Sequence, residues 1–170
     1  MRNKAKRILN VGCGVDTYGT DFIDLNPRRK NVIRCDVGRD RFPYPSNTFD
    51  EVYSRQMVMY VSNLAHFINE CRRVLKPGGR IWISSAAAAY YGFINNQFED
   101  RDKYKAYNLQ TTATLKNLLE IGGFRNIKVH SGYVRPRIRS ARIRLGGYGQ
   151  RLLGSISRRL RPDVIGSAEK

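Results

Sequence analysis

The sequence predicts an α/β fold with a mainly parallel sheet, on three observations. Short apolar runs bounded by Gly, Pro, Asn or Asp alternate with stretches of helical periodicity. Strands that alternate with helices assemble into a mostly parallel sheet. The third observation is size: 170 residues, 41% hydrophobic and 26% charged, suit one globular domain around a single core.

Taken in order, apolar runs at 8–11, 22–25, 32–35, 51–53 and 80–84 read as five strands. Ser62 is placed to cap a helix whose apolar positions Leu64, Phe67, Ile68, Cys71 and Leu75 share one face, and Pro77-Gly78-Gly79 stops it. A second helix, capped by Thr111 or Thr112, carries Leu115, Leu118 and Leu119 and ends at Gly122-Gly123. A strand at 126–130 follows.

The connections are unusually short. Only residues 15–21 and 26–31 separate the first three strands, whereas a parallel crossover needs a dozen or so residues. Residues 36–49 are long enough, but Pro43 and Pro45 disfavour a helix. Three crossover helices are therefore missing or stunted. In agreement, Ile81 and Ile83 alternate with Trp82 and Ser84, and Ile127 and Val129 with Lys128 and His130, which leaves one sheet face thinly covered.

Charge narrows the partners without choosing among them. Lys and Arg number 31 against 14 acids, a net charge of +17. Nucleic acid, an anionic membrane surface or an acidic small molecule all suit such a field. The three cysteines, Cys13, Cys35 and Cys71, form neither a disulfide framework nor paired metal ligands, so no metal site is expected and reduced thiols in a cytoplasmic protein fit. No apolar stretch approaches the ~20 residues of a membrane span.

The chemistry starts at Ile8-Leu9-Asn10-Val11-Gly12-Cys13-Gly14, an apolar strand entering a Gly-x-Gly turn. Glycines there let backbone approach a ligand closely and present N–H groups, although a tight turn with no ligand reads the same way. Asp24 closes the second strand, where a carboxylate accepts both hydroxyls of a ribose. Asp36 closes the third, placed to accept from the exocyclic amine of a purine. Each Asp also reads as an ordinary turn or cap residue. Together they outline a nucleoside site at the carboxyl edge of the sheet.

With these residues the chain resembles the small Rossmann-like (class I, type-11-like) S-adenosylmethionine-dependent methyltransferases. Phe42-Pro43-Tyr44-Pro45-Ser46-Asn47-Thr48-Phe49-Asp50 is similar to the family's segment before strand four, and Arg73-Val74-Leu75-Lys76-Pro77-Gly78-Gly79 to its turn before strand five. Leu118-Leu119-Glu120-Ile121-Gly122-Gly123-Phe124 resembles its late motif, so the likeness covers residues 7–133. It implies a Rossmann-like, mostly parallel seven-stranded sheet with a reduced helix complement and a basic C-terminal extension. It further implies that Gly12, Cys13 and Gly14 lie along the methionine part of the cofactor, that Asp24 and Leu25 meet the ribose, and Asp36 and Val37 the adenine. Ser54, Arg55 and Gln56 would leave strand four beside the sulfonium.

Departures from the family pattern are Met59-Tyr60, where many relatives carry Glu-His, and the shortened first crossover. Residues 86–110 hold six aromatics and the acids Glu99, Asp100 and Asp102, which suits a lid over the site. No catalytic base is assigned. The expected domains are a cofactor-binding core at 1–133 and a basic extension at 134–170. In the extension, Arg135, Arg137 and Arg139 alternate as in a reversed last strand, and Leu152, Leu153, Ile156 and Leu160 share a helical face ringed by arginines. That helix suits docking on the thin sheet face or in a homodimer, or on an anionic membrane surface through residues 148–161; nucleic acid ranks behind these. The expected activity is methyl transfer from S-adenosylmethionine, with S-adenosylhomocysteine as product, to an oxygen or nitrogen of an undetermined small-molecule, saccharide or lipid-linked acceptor. An RNA methyltransferase and a catalytically inactive methyltransferase-like module are the alternatives.

Overall fold

A computed structural model describes residues 5–87, 108–132 and 163–170. Seven strands form one sheet: β1 (Ile8–Val11), β2 (Asp21–Asp24), β3 (Val32–Arg34), β4 (Phe49–Arg55), β5 (Leu75–Ala86), β6 (Arg125–Gly132) and β7 (Asp163–Glu169). Their order is β3-β2-β1-β4-β5-β7-β6. β1 to β5 pair in parallel, and β7 runs antiparallel to both β5 and β6. The order reverses between β1 and β4, and it is beside such a reversal that open sheets bind ligands.

Two helices, α1 (Leu64–Val74) and α2 (Thr112–Ile121), pack on the same side of the sheet. Their Phe67, Ile68, Cys71, Leu115 and Leu119 close a core over Leu9, Val11, Ile23, Val52, Ile81 and Ile83. The period-two pattern of the strands sends Ile8, Tyr53, Trp82 and Ile165 to the other face. Among the described residues no helix lies there, as the short connections predict.

The expected cap of α1 is off by one residue: Asn63, not Ser62, is the N-cap, and its side chain accepts from the His66 N–H at 3.0 Å. The helix also stops earlier than the Pro-Gly-Gly run implies. Leu75 is extended and already pairs with Phe49, and a register shift between Phe49 and Glu51 accommodates the turn before Arg80. Thr111 caps α2, forming a reciprocal capping box with Thr114.

Residues 36–48 replace a crossover helix with a loop that α1 holds. Glu70 accepts from the Phe42 N–H at 2.7 Å, and Arg73 donates to the carbonyls of Tyr44 and Phe42 at 2.8 and 3.0 Å. Buried backbone that no helix satisfies is satisfied by this ion pair.

The reversed strand expected at 134–145 lies outside the described residues. The one observed is β7, so the last residues of the expected basic extension belong to the sheet. Small residues make this strand possible: a Cβ on Gly166 would stand 3.0 Å from Leu115 and 3.3 Å from Leu119, where α2 presses on the sheet.

Candidate functional site

The carboxyl edge of the sheet is drawn together by backbone. β1 ends in the Gly12-Cys13-Gly14 turn, where Gly12 and Gly14 take φ of +65° and +53°, a region costly for side-chain-bearing residues. The Gly12 and Cys13 N–H groups donate to the Ile23 carbonyl at 2.9 and 3.3 Å, and the Gly14 N–H to Asp24 Oδ2 at 2.8 Å. The turn therefore offers a ligand close approach, its own donors being committed to β2. A Cβ on Gly14 would meet nothing within 4 Å, which is the open space a ligand needs.

Asp24 joins the turn to the next loop, because its Oδ1 accepts from the Asn26 N–H at 2.8 Å. Each carboxylate oxygen has a second lone pair left for a ligand hydroxyl. Asp36 is set by its own turn: Oδ1 accepts from the Gly38 N–H at 3.0 Å, while its N–H donates to Asp40 at 2.8 Å. On the far wall, Gln56 has φ of +52°, donates its N–H to the Ser84 carbonyl at 2.9 Å, and binds Asp163 of β7 through Nε2 at 2.6 Å.

These elements enclose a cavity of about 280 Å³. Seven residues expected at the site line it: Gly12, Gly14, Asp24, Leu25, Asp36, Val37 and Gln56. Three do not. Cys13 is buried against Phe22 and Val32. Arg55 pairs with Asp16 at 3.5 Å. Ser54 is fully buried, and its Oγ has no hydrogen-bond partner among the described residues.

Other wall residues were not legible as such, among them Arg28, Cys35, Met57 and Tyr60. The short 3-10 turn Val58–Tyr60 brings the last two inward, and apolar residues after a strand read as core. Tyr60 lies at the position where the family pattern departs. Burial pushes the Cys35 thiol up to about 11, so it lines the cavity as a neutral, weakly polar group and not as a nucleophile. Burial also raises the Cys13 thiol, against the pull of the Arg29 contact at 3.8 Å. The expected lid acids Glu99, Asp100 and Asp102 lie outside the described residues.

A strand order that reverses between β1 and β4, a glycine turn and two strand-end carboxylates thus meet around one cleft. Residues 9–83 match the family model described as "Methyltransferase domain". That match covers less than half of the chain, and the fold is the Rossmann-like one of solved S-adenosylmethionine-dependent methyltransferases. The chain is similar to a phosphoethanolamine N-methyltransferase from Triticum aestivum, 27% identical over 146 residues, covering 72% of this chain and 28% of the relative. It also resembles the sterol 4-C-methyltransferase strm-1 of Caenorhabditis elegans, 25% identical over 122 residues and covering 58% and 34%. The chain thus spans about a third or less of these curated relatives. In fold it resembles a SAM dependent methyltransferase from Archaeoglobus fulgidus, with a TM-score of 0.67 at 20% identity, covering 98% of this chain and 87% of that one.

Proposed function

We propose that this protein binds S-adenosylmethionine and transfers its methyl group to an oxygen or nitrogen nucleophile of a small-molecule, saccharide or lipid-linked acceptor. The observation that carries the reading is the cleft beside the strand-order reversal, with Asp24 fixed at the tip of β2 and the Gly14 position open in front of it. When bound, the cofactor supplies an electrophilic methyl on a sulfonium. The protein's part is to hold it and bring an acceptor into line.

In this reading Asp24 takes the ribose hydroxyls on its remaining lone pairs, and Leu25 packs beside them. Asp36 accepts from the adenine amine while Val37 and Cys35 offer the ring an apolar wall. Gly12 and Gly14 let the methionyl chain lie against the backbone. Gln56 and Met57 bound the end of the cavity where β4 finishes, toward which an acceptor must come. Relatives named for acceptors as unlike as phosphoethanolamine and a sterol fit a division in which this core handles the cofactor half.

Isothermal titration with S-adenosylmethionine and S-adenosylhomocysteine, beside Asp24→Ala and Asp24→Asn, tests the reading. Micromolar binding that is lost in Asp24→Ala and weakened in Asp24→Asn is expected. No heat from a protein whose circular dichroism shows it folded would overturn it.

A further inference from the structure

β7 runs antiparallel to β5 and β6, so its first residue, not its last, reaches the carboxyl edge of the sheet where the cleft lies. That residue is Asp163, paired with Ala86 on one side and Gly132 on the other and only 8% exposed. Burial penalises a carboxylate unless donors meet it. One donor is Gln56 Nε2 at 2.6 Å, from the wall of the cleft.

Gln56 is itself held from two sides. Its φ of +52° is a left-handed conformation that glycine and asparagine adopt more readily. Its N–H donates to both the carbonyl and the Oγ of the buried Ser84, at 2.9 and 3.3 Å. Strain of this kind persists where the surroundings over-determine it, and it concentrates at ligand sites. Here β5 fixes the backbone and β7 the side chain, which leaves the amide one orientation.

We propose that Asp163 is a positioning residue that turns the Gln56 amide so that its Oε1 accepts from the ammonium of the cofactor's methionyl chain, an inference that rests on the S-adenosylmethionine reading of the cleft. A carboxylate has only acceptors to offer, so the amide gives it Nε2 and keeps Oε1, its one acceptor, for another partner. The charge of the carboxylate polarises the amide in the sense that strengthens Oε1 as an acceptor for a cation. The place agrees as well. The cleft runs along the strand ends from Asp36 after β3, past Asp24 and Gly12, to Gln56 after β4, three strand spacings or about 14 Å. With purine and ribose at the Asp36 and Asp24 end, the methionyl chain falls at the Gln56 end, where the Met57 side chain lies against Gly12.

Isothermal titration with three probes tests the assignment. S-adenosylhomocysteine carries the ammonium and a carboxylate, its decarboxylated analogue keeps the amine alone, and methylthioadenosine has neither. Wild type should bind the two amine-bearing probes about tenfold or more tighter than methylthioadenosine, the scale of one hydrogen bond to a charged group. Asp163→Asn keeps the size of the side chain but allows the Gln56 amide either orientation, and Gln56→Gly removes the amide while relieving the left-handed backbone. Each should weaken the amine-bearing probes about tenfold and leave methylthioadenosine within about twofold. Gln56→Glu joined to Asp163→Asn exchanges donor and acceptor, and should restore the amine-bearing probes to within about threefold of wild type. A bond that merely staples β4 to β7 predicts equal weakening of all three probes, and that result overturns the proposal. No change in either variant overturns it, as does an effect confined to the carboxylate-bearing probe or a wild type that binds all three alike. A folded wild type that binds none of the three removes the cofactor reading itself and this inference with it, so the two failures are told apart.

Discussion

Gly12 and Gly14 look alike in the sequence but meet different surroundings, and substitution separates them. Alanine at either position must adopt a left-handed conformation, costing about 1–2 kcal/mol. At Gly12 the new Cβ would also fall 2.1 Å from Met57 Cγ and 2.9 Å from its Cβ, so a wall of the cavity must move. At Gly14 it would project into open space. Gly12→Ala should therefore melt well below Gly14→Ala in thermal unfolding. Gly14→Ala should stay folded but lose affinity for S-adenosylhomocysteine by tenfold or so, about 1.4 kcal/mol. Equal melting temperatures for the two would count against the packing described here.

Elements depend on single side chains where a helix is missing, and α1 is the clearest case. Burial pushes the Glu70 carboxyl up, but the Arg73 guanidinium and the Phe42 N–H outweigh it and hold the group below the usual carboxylate range. A depressed folded value means that this stabilisation is complete above the unfolded value of about 4.3 and fades as pH falls below it. Glu70→Gln should cost about 1–3 kcal/mol at pH 7 by denaturant titration, and the gap from wild type should narrow by pH 3. A gap constant with pH would show that charge plays no part. Thr111→Ala, which removes one half of the α2 capping box, should cost about 1 kcal/mol at any pH. The early strands, both helices and most of the cleft were legible because their signals are local: period, cap and glycine turn. The Glu70 anchor was not, since nothing near Glu70 in sequence announces that a loop 28 residues away needs its oxygens. β7 was missed for a related reason. Gly166, Ser167 and Ala168 carry little hydrophobic signal, Gly166 being small because a Cβ there would press on Leu115 and Leu119 of α2, whereas the alternating arginines at 135–139 give the stronger strand signal.

At the level of the whole molecule, the chain's last eight residues hold its two halves together. β7 lies between β5 and β6, pairing Arg80–Ala86 on one side and Arg125–Gly132 on the other. It also carries Asp163, which reaches the Gln56 side chain at the mouth of the cleft, while the Lys170 N–H closes onto the Gly79 carbonyl at 2.9 Å. A chain ending at residue 162 thus leaves β6 without its paired strand, takes from α2 one of the two strands it packs on, and bares Val164 and Ala168 contacts in the core. It should show no cooperative thermal transition and no cofactor binding. Replacing residues 133–162 by Asn-Gly has the opposite logic. The turn joins residues already in register, so the sheet should form and unfold cooperatively, with S-adenosylhomocysteine still bound at Asp24. If it instead failed to fold while the truncation at 162 folded, the seven-stranded order itself would be wrong.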